Sequence, residues 1–138
     1  MTTTTATILD GTKIAAQIKA EIIEQVQKLT AVGRRPGLAV ILAGNDPASE
    51  IYVRNKVKTC EQLGIHSEKL TPPDSVTTEE LLGMVQQLNQ RDEIDGILVQ
   101  LPLPKQIDAK KIGVPTKRIE SKSRAATLAL RIDCTGVR

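Results

Sequence analysis

The apolar positions of the chain change period as they pass from one segment to the next. From Ile14 they recur every three or four residues, through Ile18, Ile22, Val26 and Leu29. That spacing predicts an amphipathic helix. Asp10 is placed as its N-cap and Gly33 as its stop. Gly37–Ala43 is then an unbroken apolar run between turn residues, the pattern of a strand buried on both faces. Gly44-Asn45-Asp46-Pro47 reads as a turn entering a second helix, with Asp46 as N-cap and Pro47 in the first turn. This helix runs to about Leu63, and Gly64 ends it. His66–Leu70 is a weaker strand ahead of Pro72-Pro73. Thr77 or Thr78 caps a third helix with Leu81, Leu82, Val85 and Leu88 on its apolar face. Gly96–Leu101 reads as another buried strand, and Pro102 and Pro104 must take the chain out of the sheet.

Strands alternating with helices predict an α/β fold, a three-layer parallel sheet with right-handed crossovers. Sites in such sheets form beyond the carboxyl ends of the strands. Two loops qualify: the one leading from residue 43 into Ser49, Tyr52 and Lys56, and the one carrying Gln100 and the prolines. After Ile112 the periodicity fades. The expected division is a folded domain over 1–112 and a disordered tail over 113–138.

Composition narrows the function. Of 138 residues, 40% are apolar, but there is no Trp, no Phe and a single Tyr. The core is therefore aliphatic, and stacking on nucleic-acid bases is excluded for want of rings. The formal charge of +3 is unevenly spread. Residues 1–112 hold 13 basic and 14 acidic side chains, whereas residues 113–138 hold 6 and 2. The basic excess belongs to the tail, whose expected state is solvated rather than nucleic-acid bound. Cys60 and Cys134 make no disulfide framework, and His66 is the one histidine, so no metal site is expected. Cys60 is expected as buried filler and His66 as a strand-start residue. No apolar run is long enough to span a bilayer. The Thr-rich start lacks the pattern of a signal peptide, which points to a cytoplasmic protein.

The second helix carries the chemistry. On a wheel of about 100° per residue, Lys56 and Cys60 each lie about 20° from Ser49, and Tyr52 about 60° away. Val53, Val57 and Leu63 share that half. Glu50, Arg54, Lys58 and Glu61 fall opposite, the solvated side. Lys56 thus projects from the apolar face beside the only tyrosine. Two readings compete: a lysine that snorkels past the core edge, and a functional group. Gln100 adds weight to the second, because an amide at the end of an apolar strand needs a partner, and a lysine is one. Proton transfer suits such a lysine, which titrates near ~10.4 when free and must be desolvated to act near neutral pH.

Two long motifs carry a resemblance. Gly44-Asn-Asp-Pro-Ala-Ser-Glu-Ile-Tyr-Val-Arg-Asn-Lys56 and Gly96-Ile-Leu-Val-Gln-Leu-Pro-Leu-Pro104, with Leu9-Asp10-Gly11 before them, resemble the bifunctional methylenetetrahydrofolate dehydrogenase/methenyltetrahydrofolate cyclohydrolases. The resemblance covers about residues 8–112. It implies oxidation of 5,10-methylenetetrahydrofolate with NADP and hydrolysis of the methenyl product to 10-formyltetrahydrofolate. It also implies the N-terminal domain of a two-domain fold. Lys56 matches the catalytic lysine and Gln100 the glutamine that bonds and tunes it. Tyr52 matches the aromatic that stacks on the pterin and Ser49 a serine beside the lysine. Val99, Leu101 and Pro102 match the wall of the folate cleft.

The sequence departs from the family in two ways. No Asp-Gly segment of the folate-anchoring type follows the Leu-Pro-Leu-Pro motif, and neither Asp108 nor Asp133 has that context. The family's Rossmann domain, glycine-rich loop and Pro-Gly-Gly-Val-Gly-Pro segment have no counterpart in 113–138, so no residue here is assigned to NADP. An internal deletion followed by a foreign or frameshifted tail would explain both departures. The expectation is absent dehydrogenase activity, trace cyclohydrolase activity and a monomer, the family's homodimer forming through the second domain. The competing expectation is a non-catalytic fragment that binds folate or a partner.

Overall fold

The computed structural model describes residues 9–116. The element order is α1 (Gly11–Ala31), β1 (Gly37–Ile41), α2 (Pro47–Leu63), β2 (His66–Leu70), α3 (Thr78–Asn89), β3 (Gly96–Val99) and α4 (Ala109–Thr116). The local signals act where they stand. Asp10 accepts from the Lys13 N–H, and Asp46 accepts from the Ser49 N–H with Pro47 at the helix start. Gly64 closes α2 at φ 79°, a left-handed conformation open to glycine at little cost. Thr77 and Glu80 form a reciprocal capping box on α3.

The three strands form a parallel sheet in the order β2-β1-β3. Because β1 is central, the chain crosses from β1 to β2 in one direction and from β2 back to β3 in the other. Right-handed crossovers then place α2 and α3 on opposite faces. The side chains of β1 sort accordingly. Leu38, Val40 and Leu42 pack with Ile22 and Val26 of α1 and Val53, Cys60 and Leu63 of α2. Ala39, Ile41 and Ala43 pack with Leu81, Val85 and Leu88 of α3, and with Ile107 and Ile112. All five residues of β1 are buried. The result is the expected three-layer α/β arrangement.

Two expectations are corrected. The strand read as Gly96–Leu101 ends at Val99 and is half-buried beyond Gly96, because among the described residues it pairs on one side only. Ile14 is exposed although it lies in the apolar stripe of α1. A helix of 21 residues is about 31 Å long and a five-residue strand about 17 Å, so the first turns of α1 overhang the sheet. Residues 113–116 carry no helical pattern in the sequence and lie in α4. Residues 117–138, with Cys134, lie outside the described residues. No helix among the described residues is long and apolar enough to cross a membrane.

Glycine matters most at Gly37. A Cβ there would overlap the Glu93 carbonyl oxygen, and the Gly37 N–H and C=O both bond to Asp95, at 2.9 and 2.8 Å. Gly83, within α3, has open space where a Cβ would go. Gly37→Ala is therefore expected to destabilise the fold by roughly 3 kcal/mol. Gly83→Ala is expected to stabilise it by about 0.5–1 kcal/mol. Urea unfolding of both variants checks the contrast; similar effects at the two positions would contradict this packing.

Candidate active site

The candidate site lies where the chain leaves β1 and β3 at their carboxyl ends. Those two neighbouring strands feed helices on opposite faces, the condition for an opening between the loops. The β1 loop delivers the start of α2, and the end of β3 delivers Gln100 and Leu101.

On α2, Ser49, Val53, Lys56, Cys60 and Leu63 form the buried row. The charged residues Glu50, Arg54, Lys58 and Glu61 are exposed. Lys56 is 6% exposed, and its Nζ lies 4.6 Å from the centroid of the Tyr52 ring. An ammonium over an aromatic face is stabilised by about 0.5–2 kcal/mol, which offsets part of the cost of leaving water. Snorkelling to solvent is therefore not what this lysine does.

Gln100 is placed by backbone pairing: its N–H donates to the Ile41 carbonyl at 2.9 Å, one residue past the end of β3. Its side-chain Nε2 donates to the Leu101 carbonyl at 2.8 Å. The Ser49 hydroxyl lies 3.3 Å from the same carbonyl, so α2 and the segment after β3 meet there. That hydroxyl has one proton and two acceptors in reach, Leu101 O and the Asp46 carboxylate. Ser49, through its hydroxyl and its N–H, holds the Asp46 carboxyl below the usual range. The N–H bond, at 2.8 Å, is the one that Ser49 keeps whichever way the hydroxyl turns.

Leu101 is 61% exposed and Pro102 is exposed, so both stand at the rim. Val99 is different. Strand alternation turns Ile97 and Val99 toward the α3 side, where both pack against the Ala39 and Ile41 cluster, and turns Leu98 toward the α2 side. The structure thus brings together Tyr52 with Lys56, and Ser49 and Gln100 with Leu101. It sets the Val99 side chain on the other face of the sheet.

Cys60, one turn beyond Lys56, is wholly buried. Burial pushes its thiol up to about 11, against a smaller opposing pull from Lys56. His66 opens β2 and is half-buried, its N–H bonded to the Pro36 carbonyl. No group of three or more His, Cys, Asp or Glu among the described residues is placed to hold a metal. A concavity of about 560 Å³ opens between α1 and α2, beside Gln27, Arg35, Leu63 and Gly64, at the opposite edge of the sheet.

A buried lysine beside a tyrosine stands at the carboxyl edge of a parallel sheet, the place where α/β folds form their sites. Residues 9–120 match the catalytic domain of the tetrahydrofolate dehydrogenase/cyclohydrolases, and the chain belongs to that family. Its relatives include the bifunctional protein FolD of Koribacter versatilis, 65% identical over 107 residues, and that of Moorella thermoacetica, 55% identical over 107. Each alignment covers 78% of this chain but 35% and 38% of the relative. The Campylobacter jejuni FolD crystal structure superposes with a TM-score of 0.78 at 44% identity, covering 80% of this chain and 39% of that one. The Trypanosoma brucei FolD, solved with NADP cofactor and an inhibitor, gives 0.76 at 36% identity, covering 82% and 39%. The chain therefore spans less than two-fifths of the length of the relatives it matches.

The turn entering α2 does not fit the NADP of that last structure. A dinucleotide phosphate needs free N–H groups on a glycine-rich turn at a helix start. Here the turn holds one glycine, and the Asp46 carboxylate already caps α2. Asp74 crowds Gly44, its Oδ1 2.8 Å from where a Cβ would lie. Two carboxylates would repel a phosphate.

The burial of Cys60 has a measurable pH dependence. Its thiol titrates higher in the folded chain than the ordinary 9.0. The stabilisation is thus complete below about pH 9 and is lost as pH rises through about 11. The unmodified chain should lose on the order of 2–3 kcal/mol more than Cys60→Ala over that range, measured by urea unfolding. Parallel stability curves for the two would place the thiol in water.

Proposed function

We propose that this chain binds a reduced folate at the site between the α2 start and the end of β3, and that Lys56 serves hydrolysis of the 5,10-methenyl form to 10-formyltetrahydrofolate. The observation that carries the reading is the buried Lys56 held against Tyr52, within a family of folate enzymes. In this reading the pterin packs on the Tyr52 ring with its one-carbon centre at the ring edge that Lys56 Nζ reaches. Leu101 and Pro102 supply an apolar rim, with Val99 behind them contributing through its backbone. Ser49 stands beside the lysine as a donor to the substrate or to Leu101.

The methenyl carbon is an electrophile that water must attack, and a ring nitrogen must then leave with a proton. Lys56 Nζ donates a hydrogen bond that orients water or stabilises charge on the departing nitrogen. Gln100, whose Nε2 is engaged by Leu101, has its Oε1 left to accept from Lys56 and fix the direction of the ammonium. Hydride transfer to NADP is an activity of the longer relatives, and no step of it is assigned to these residues. A second reading is binding of folate without turnover. We read the chain as having no nucleic-acid partner, since its aromatic content is a single tyrosine. A cytoplasmic location is the matching reading.

Two variants separate these readings. Tyr52→Ala should weaken tetrahydrofolate binding by roughly tenfold, the scale of one lost aromatic stack. Lys56→Ala should bind comparably but hydrolyse 5,10-methenyltetrahydrofolate at least ~100-fold more slowly than the unmodified chain. Calorimetric titration and the decay of methenyl absorbance report the two effects. Equal hydrolysis with and without Lys56 would leave binding alone; equal binding with and without Tyr52 would remove the folate site.

A further inference from the structure

The wall segment Leu101–Pro104 carries a mechanical problem. Two of its four residues are prolines with no N–H, so a strand ladder cannot hold it. It is tied at its near end through the Leu101 carbonyl, as described above. Its far end is tied by a side chain that the family motifs do not include. Gln106 Nε2 donates to two carbonyls of the β2–α3 loop, Asp74 at 2.6 Å and Val76 at 3.0 Å. The Gln106 carbonyl accepts from the Thr78 hydroxyl at 3.4 Å, and that hydroxyl accepts from the Asp108 N–H at 3.0 Å. Thr78 is a buried polar residue at the first position of α3. Between strap and wall runs a tight turn, closed by the Ile107 N–H on the Pro104 carbonyl at 2.9 Å, with Ile107 anchored in the α3-side core.

We infer that Gln106 is a positioning residue for the folate cleft. Its two N–H groups pin residues 104–108 to the β2–α3 loop, and so set where Leu101 and Pro102 stand relative to Tyr52 and Lys56. The inference rests on the folate reading. The same strap fixes the loop that crowds Gly44, where Asp74 Oδ1 and Pro104 both approach the turn out of β1. One amide therefore couples three loops at the carboxyl edge of the sheet. Gln106 itself is exposed, and burial gives no reason for its presence. The chemistry needed is two donors: glutamate has the length but would set a charge against two carbonyls, and leucine has the bulk but no donor. Lysine keeps N–H donors and has the reach.

The test uses the 138-residue chain with Gln106→Leu, Gln106→Glu, Gln106→Lys and, as a second break in the strap, Thr78→Val. Tetrahydrofolate affinity, thermal midpoint and ligand-free amide exchange at Leu101 and Leu103 are measured together. The expected result is a Kd raised roughly three- to tenfold in the Leu, Glu and Val variants, the scale of one or two lost hydrogen bonds. Amide exchange at Leu101 and Leu103 should accelerate in the same variants, and Gln106→Lys should stay close to the unmodified chain in both. A lowered midpoint with unchanged affinity in the folded variants would make the strap merely structural and overturn the inference. Failure of the folate reading looks different. Tyr52→Ala then binds as well as the unmodified chain, or neither binds, and the positioning role falls with it. Should Tyr52→Ala lose affinity while Gln106→Leu keeps it, only the positioning role is wrong.

Discussion

The constraint on which the rest depends is that β1 is central and parallel to both neighbours. Parallel neighbours require crossovers, and crossovers are right-handed. With β2 on one side and β3 on the other, the helices must divide between the two faces. Each residue of β1 is then covered, and its alternation sends Leu38 and Val40 to one layer and Ala39 and Ile41 to the other. The same division makes the carboxyl ends of β1 and β3 the place where a site is expected. A site on this fold has its place dictated before any catalytic residue is chosen.

What the chain does with that place is costly in one respect. Lys56 occupies a position between Val53 and Cys60 in the buried row of α2, where an aliphatic side chain would pack at no electrostatic cost. A cationic group in such a row breaks the binary pattern that the rest of the helix obeys. Local rules are broken most often at functional sites, with compensation nearby. Here the compensation includes the Tyr52 ring. The sole aromatic of the chain thus stands beside the most buried charge among the described residues.

Much of this was legible because the signals are local. Asp46, Pro47 and Gly64 bound α2 through capping and backbone conformation, and the structure keeps both ends. Lys56 on the apolar half of the wheel follows from helical period alone. Other features depend on partners distant in sequence. The half-burial of β3 depends on what pairs with its outer edge. The turning of Val99 to the α3 side depends on sheet register. Residues 113–116 of α4 carry Gly113 and Pro115, which argue against a helix, yet Ile112 is drawn into the α3-side core and the helix continues beyond it. Gln106 had no signature: an exposed glutamine after two prolines looks like any loop residue, and its carbonyl partners lie about thirty positions earlier.

The central claim is that the site at the carboxyl edge, and not the concavity between α1 and α2, receives the folate. Backbone amide shifts of the isotopically labelled chain, followed as tetrahydrofolate is added, test it most directly. The account predicts shifts centred on Ser49, Tyr52, Lys56, Gln100 and Leu101, with Gln27, Arg35 and Gly64 unmoved. Shifts centred on those last three residues, or a spectrum that tetrahydrofolate leaves unchanged, would contradict it.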